Sequence, residues 1–305
     1  MGTPDFAVPP LRGLIEHGYH IPAVVTQPSR PRGRGRKITP TPVQQTAAKY
    51  GIEVLQSHNV SDPQFCEIIR SRAPDLLVVV AFGQILKKRL LEIPAMGAIN
   101  LHASLLPRYR GAAPIQWAIL NNESVTGLTV MLMNEGLDTG PILLQQELPI
   151  LPDETAGQLH DRLANLGREV LLKCIEDMTK DRLEAKPQDE AKATYAPKID
   201  RSISQINWHQ PAKNVSALIR GLDPWPGAVT TLKNKKIKLF SSRVTDEGYE
   251  SNKPGRVAGC LEGALQVETK KGIISIRELQ MPGKKRLPAK DFLRGFPIDK
   301  GTLLE

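Results

Sequence analysis

Leu76-Leu77-Val78-Val79-Val80-Ala81 carries no polar residue, and an all-apolar run of that length reads as a strand covered on both faces of its sheet. Such sheets are mostly parallel, because the helices linking their strands do the covering. Upstream, residues 21–26 form a second short run rich in β-branched residues; downstream, 97–101, 128–133 and 142–148 are further strand candidates. Helical patterns fall between them at 8–17, 42–50, 64–72, 114–120 and 156–178. This alternation predicts an α/β fold with a doubly wound, mostly parallel sheet. Such a fold opens with a strand feeding its first turn, whereas here the sequence begins at the turn Gly2-Thr3-Pro4. The expectation is that the first strand is missing and that the natural protein carries several more apolar residues upstream.

The texture changes after Lys180. Lys186-Pro187-Gln188-Asp189-Glu190 is polar and aperiodic, as a linker would be. Beyond Trp208 come short strand-like runs at 228–232, 236–240, 255–258, 264–269 and 272–279, separated by Gly, Asn and Pro. These predict a small, OB-like β-barrel. The expected division is a catalytic domain over 1–183, a linker over 184–202 and a barrel domain over 203–305.

Charge sharpens this division. The 305 residues carry a formal net charge of +9, and residues 203–305 hold 18 Lys and Arg against 10 Asp and Glu. The basic excess therefore sits in the C-terminal third, where it attracts polyanions without saying which. No apolar stretch approaches the length of a membrane span, and no secretory leader precedes Thr3. A cytoplasmic protein with no membrane partner is expected. Cys66, Cys174 and Cys260 are isolated in sequence; they read as small buried hydrophobes, with neither metal-ligand nor disulfide spacing. No Gly-x-Gly-x-x-Gly follows an early strand, which argues against a dinucleotide-dependent redox enzyme.

The densest chemical segment is Gly97-Ala-Ile-Asn100-Leu-His102-Ala-Ser104-Leu-Leu-Pro107-Arg108-Tyr109-Arg110-Gly111. If the strand extends to His102, its period of two puts Asn100 and His102 on one face near the carboxyl end, where open α/β sheets bind ligands. Asp138 lies in the glycine- and proline-flanked loop Gly136-Leu137-Asp138-Thr139-Gly140-Pro141. Together the three suit acyl transfer to an amine. An Asn amide donates to a developing oxyanion, an imidazole donates to it or moves a proton, and a carboxylate orients the ring. That chemistry requires no metal and no nucleophilic Ser or Cys.

Residues 97–111, taken with Gly127-Leu-Thr-Val-Met-Leu-Met-Asn-Glu-Gly-Leu-Asp138-Thr-Gly, resemble the active-site signature of the 10-formyltetrahydrofolate-dependent formyltransferases. Three further segments resemble those family members whose acceptor is initiator methionyl-tRNA: Gly2-Thr-Pro-Asp-Phe-Ala-Val8, Thr26-Gln-Pro-Ser-Arg-Pro-Arg-Gly-Arg-Gly-Arg-Lys37 and Arg220-Gly-Leu-Asp-Pro-Trp-Pro-Gly227. The similarity runs from about residue 1 to residue 301. Ser29 stands where the family commonly has Asp, and Lys87 where Pro is frequent. The resemblance implies a formyltransferase-type fold, with Asn100, His102 and Asp138 as catalytic trio and Ser104, Leu105, Leu106 and Pro107 lining the folate site. It implies 10-formyltetrahydrofolate as formyl donor and methionyl initiator tRNA as acceptor.

Arg30, Arg32, Arg34, Arg36 and Lys37, spaced by Pro31, Gly33 and Gly35, favour phosphates. The resemblance implies that this insertion enters the tRNA acceptor arm while the barrel supports the tRNA body. In the barrel, Lys233, Lys235, Lys236, Lys238, Lys270, Lys271, Lys284, Lys285 and Arg286 form a cluster that as a whole is expected to meet phosphates. Two rivals remain open from the residues alone: a folate formyltransferase acting on an amino-sugar nucleotide or glycinamide ribonucleotide, and a non-catalytic RNA-binding relative. The basic insertion weighs against the first, and the intact trio against the second. A monomer without affinity for DNA is expected.

Overall fold

The computed structural model describes residues 1–32 and 37–305. In chain order its elements are α1 (Val8–Glu16), β1 (Val24–Thr26), β2 (Arg30–Arg32), β3 (Lys37–Thr39), α2 (Pro42–Lys49), β4 (Val54–Gln56), α3 (Pro63–Arg70), β5 (Leu77–Val79), α4 (Lys88–Leu91), β6 (Ala98–His102), β7 (Arg110–Gly111), α5 (Pro114–Leu120), β8 (Val125–Leu132), β9 (Ile142–Pro149) and α6 (Ala156–Thr179). They continue with β10 (Tyr195–Ala196), α7 (Ala212–Gly221), β11 (Ala228–Leu232), β12 (Lys235–Glu250), β13 (Val257–Leu261), β14 (Ala264–Glu268), β15 (Lys271–Gln280), β16 (Arg286–Pro288) and α8 (Ala289–Gly295). Among the described residues no helix is long and apolar enough to cross a membrane.

Packing divides the chain into two compact units whose segments interleave. The first takes residues 1–111, 126–148 and 160–195; the second takes 112–125, 149–159 and 196–305.

In the first unit, β1 lies parallel to β4 and β5 parallel to β6. The apolar run at residues 76–81 supplies β5, and Leu77 and Val79 are buried. On its other edge β6 pairs antiparallel with β8, and β9 follows β8 in the sheet. Helix starts follow local chemistry. Thr41 and Asp62 accept the Gln44 and Gln64 amides ahead of α2 and α3, and each helix then begins with proline, which needs no hydrogen-bond partner at that position. Helix α3 turns Phe65, Cys66 and Ile69 inward against Val79, Phe82 and Leu86. Met1 and Gly2 run between β1 and β5: the Gly2 amide donates to the Val25 carbonyl at 3.0 Å, and the Val80 amide donates to that of Met1 at 2.9 Å. Beside them is an apolar cavity of about 400 Å³ lined by Met1, Val24, Val25, Leu77, Val78 and Ile175, among others.

The second unit is an antiparallel sheet in the order β11-β12-β15-β14-β13, with β16 on β15. Its core includes Trp208, Val215, Ile219, Leu239, Leu265, Ile276 and Phe292. Helices α5 and α7 pack closely at Gly221, where a Cβ would come within 2.8 Å of the Leu120 side chain; the missing side chain permits the approach. Strand β12 runs 16 residues, beyond the expected 236–240, with register shifts around Asp246. One expectation is corrected here. Cys66 and Cys174 are buried, but Cys260 is exposed, because it falls in the outward-facing last part of β13.

Candidate active site

Strand β6 is hydrogen-bonded on both edges, with Asn100 opposite Met131 and His102 opposite Thr129 on β8. The strand reaches His102, so the period of two holds and both side chains leave one face. Asn100 is half-buried, and His102 is 6% exposed. The ring is fixed from below, where His102 Nε2 lies 2.9 Å from the Tyr109 carbonyl oxygen.

The loop after β6 is built largely by its own bonds. The Ser104 hydroxyl donates to the Arg108 carbonyl at 2.6 Å. Thr129 Oγ1 donates to the Ser104 carbonyl at 2.7 Å and accepts from the Leu106 amide at 3.1 Å. Gln145 Nε2 donates to the Leu106 carbonyl at 2.9 Å. Ser104 and Leu106 are therefore buried pieces of the loop's framework, whereas Leu105 and Pro107 are half-buried.

Asp138 reaches the same place from the loop after β8. Its φ of +53° lies in the left-handed region, which costs a non-glycine residue on the order of 1 kcal/mol. Within this loop Asn134 Oδ1 accepts from the Gly136 amide at 3.0 Å and from the Thr139 hydroxyl at 2.8 Å. Gly140 has no room for a side chain, since a Cβ would come within 1.7 Å of the Leu132 carbonyl oxygen. Asp138 Oδ2 accepts from the Gly111 amide at 2.8 Å and stands 3.6 Å from His102 Nδ1. Its Oδ1 accepts from Asn100 Nδ2 at 3.4 Å. The three side chains singled out in the sequence thus converge at one end of β6. Nε2 of His102 thus faces the Tyr109 carbonyl and Nδ1 faces the Asp138 carboxylate.

Sequence reasoning missed the support beneath this cluster. Arg110 is 1% exposed. Its guanidinium donates to Gln188 Oε1 at 3.0 and 2.7 Å and to the Glu190 carboxylate at 2.8 and 2.7 Å. The hydrogen bond to Arg110 holds the Glu190 carboxyl below its usual range. Gln188 Nε2 donates in turn to the Asp138 carbonyl at 2.9 Å and the Gly140 carbonyl at 2.7 Å. Lys186-Pro187-Gln188-Asp189-Glu190, read as linker, is therefore built into the first unit. Arg110 belonged to the motif at residues 97–111, but nothing in the local sequence marked Gln188.

The basic residues divide. The backbones of β2 and β3 pair antiparallel, Arg30 opposite Thr39 and Arg32 opposite Lys37. Arg34 and Arg36 lie outside the described residues. In the second unit, Lys238 Nζ donates to the Pro226 carbonyl at 2.5 Å. Arg286 is held by Asp223, Glu278 and Ser241 over the Phe240 ring. These two members of the expected phosphate-binding cluster have hydrogen-bond partners inside the protein. The Lys233 and Lys235 ammonium groups stand 5.9 and 5.7 Å from the Phe296 ring centre. Among the described residues, no three His, Cys, Asp or Glu side chains gather as a metal site would need.

The formyl transferase family model matches residues 2–175, and the model of the formyl transferase C-terminal domain matches residues 198–297. The methionyl-tRNA formyltransferase of Pelobacter propionicus is 49% identical over 304 residues, spanning 100% of this chain and 94% of that protein. The enzyme of the same name from Syntrophus aciditrophicus is 45% identical, spanning 100% and 97%. Among solved structures, the fold is similar to an N-formyltransferase from Helicobacter canadensis in complex with folinic acid and dTDP-3-aminofucose. The TM-score is 0.67 at 22% identity, covering 92% of this chain and 97% of that one. The chain belongs to the formyl transferase family and, within it, to the methionyl-tRNA formyltransferases.

Proposed function

We propose that this protein transfers the formyl group of 10-formyltetrahydrofolate to the α-amine of methionyl initiator tRNA, giving N-formylmethionyl-tRNA for translation initiation. The observation that carries the reading is the meeting of Asn100 and His102 on the Asp138 carboxylate, at 3.4 and 3.6 Å, at the carboxyl end of β6. The amine nitrogen attacks the formyl carbon, and the carbonyl oxygen becomes an oxyanion. Asn100 Nδ2, which has a second hydrogen beyond the one given to Asp138, donates to that oxygen. His102 stabilises the same oxygen from the same face of the strand, a fixed stabilisation in a site of low dielectric. Asp138 holds the ring. The C–N bond to folate then breaks; the departing folate nitrogen gains one proton and the new amide nitrogen has lost one, a transfer managed by the trio.

Leu105 and Pro107 supply the apolar, half-buried side of the folate site, with Ser104 and Leu106 keeping the loop in shape. Arg30, Arg32, Arg34, Arg36 and Lys37 meet the acceptor arm, and the basic C-terminal residues meet the tRNA body. In this division of labour, residues 1–183 carry the chemistry and 203–305 carry the tRNA, with 184–202 between them in the chain. The protein works as a cytoplasmic monomer.

The test offers 10-formyltetrahydrofolate with charged initiator tRNA, and separately with an amino-sugar nucleotide and glycinamide ribonucleotide. The expected result is formyl on the methionyl nitrogen alone. Preferential formylation of either small amine would overturn the assignment of the acceptor.

A further inference from the structure

Gln188 has no place in the chemistry of formyl transfer, yet it joins a buried arginine, Arg110, to the loop that carries Asp138. We infer that Gln188 is a positioning residue: anchored on Arg110, it holds the Asp138 main chain so that the carboxylate stays set against His102. The inference rests on the reading of Asp138 and His102 as the reacting cluster.

The amide has one chemically sensible orientation. Arg110 presents two N–H donors at 3.0 and 2.7 Å, and a guanidinium has no acceptor. The oxygen of Gln188 must therefore face Arg110, which turns its NH2 group to the loop. There its two hydrogens have two carbonyls, Asp138 at 2.9 Å and Gly140 at 2.7 Å. Donor and acceptor capacity are matched on both sides. The Glu190 carboxylate strengthens the anchor by taking two further N–H groups in a bidentate pair, a geometry that fixes an arginine firmly.

The loop needs such a hold. Asp138 is a non-glycine residue at φ +53°, a conformation that persists when its surroundings enforce it. Its carboxylate is directed by the Gly111 amide at 2.8 Å, and Gly111 directly follows Arg110. Arg110 thus governs Asp138 twice, through the adjacent amide to the carboxylate and through Gln188 to the main chain. The ring is tied to the same frame. Tyr109, whose carbonyl takes His102 Nε2 at 2.9 Å, has its own amide bonded to Thr194 Oγ1 at 2.8 Å. Ring and carboxylate are therefore both referenced to residues 188–194, which lie at least 50 positions from Asp138 in the chain.

Gln188→Glu separates positioning from folding. A carboxylate keeps and strengthens the pairing with Arg110, but has no hydrogen to give the two loop carbonyls. The expected result is a thermal midpoint near that of the parent, KM for both substrates within about twofold, and kcat lower by about tenfold or more, the scale on which small misplacements act. Gln188→Ala is measured in both the parent and an Asp138→Asn background. If Gln188 acts through Asp138, its loss in the second background lowers kcat no further. Parental kcat in Gln188→Glu overturns the inference, as does a loss that adds to that of Asp138→Asn. Joint collapse of kcat and thermal midpoint overturns it too, since that marks a folding role. Full activity in Asp138→Asn alone is the distinct outcome that removes the reading of Asp138 on which the inference rests.

Discussion

Asp138 in the first unit and Asp223 in the second are two sheltered acids treated in opposite ways. Asp223 is 3% exposed, and Arg286 meets it directly with donors at 2.6 and 3.0 Å, while the Ser241 amide adds a third at 3.3 Å. Asp138 is bonded to the Gly111 amide and to Asn100, and faces His102 at 3.6 Å. Arg110 is kept one step away from it, occupied by Gln188 and Glu190. A guanidinium stays charged at any ordinary pH, so an acid locked to one has its charge neutralised for good. An acid set against an imidazole and neutral donors keeps a charge that can still act on something else. The first arrangement favours stability, the second chemistry.

His102→Ala carries the largest expected effect and strikes the second arrangement at its centre. Formyl transfer falls by about a thousandfold or more, while binding of charged tRNA, followed by filter retention, survives. Loss of both together would erase the contrast by giving His102 a folding role. Gly140→Ala comes next, because a methyl group must displace the Leu132 carbonyl or the loop itself. Steady-state kinetics are expected to show kcat lower by about a hundredfold, since the displaced loop carries Asp138 away from the ring.

Asp223→Asn is the counter-experiment. It weakens a charge-assisted pair and lowers unfolding free energy by about 2 kcal/mol in a urea titration, with activity per folded molecule unchanged. A catalytic defect without a stability defect would reverse the two roles assigned here.

Smaller again is the effect of replacing Arg34 and Arg36 together by Ala. Arg110 and Arg286 have acidic partners in the protein, whereas this pair is expected to find its partners in RNA. The double variant should lower the slope of log affinity for tRNA against log salt by about 1 for each phosphate that is no longer neutralised. An unchanged slope would sink the assignment of this insertion to tRNA.

The smallest effect concerns Glu190. Its carboxyl is held below the usual range by its hydrogen bond to Arg110. A folded-state value below the unfolded one contributes stability at neutral pH that is lost as pH falls through the folded value. Glu190→Gln should flatten that acid-side decline in thermal midpoint, below the ordinary carboxylate range. A parent and variant with parallel acid profiles would show that the Glu190 arm of the anchor is not coupled to folding.

Much of the first unit was legible in the sequence. The run at residues 76–81 became β5, and the helix expected over residues 156–178 runs as Ala156–Thr179, most of it in that unit. Buried strands and amphipathic helices write themselves into the sequence as local periods. The second unit was harder to read. After Phe240 the long strand β12 turns polar, through Ser241, Ser242 and Arg243, and its far half is mostly exposed, so no alternating pattern marks where it continues. Lys238 and Arg286 looked like free surface cations because composition records a charge and not its partner.

The sequence by itself determined that Asn100 and His102 share a face, since a strand's period of two follows from backbone geometry wherever the strand runs. It also determined that a tight loop carries Asp138. Tertiary structure alone decided that this loop folds back to bring the carboxylate to the ring, and that Gln188, 50 residues farther along the chain, holds it there. The physical reason is range: periodicity and turn chemistry act between neighbours in the chain, whereas a buried amide serving two distant carbonyls leaves no local trace.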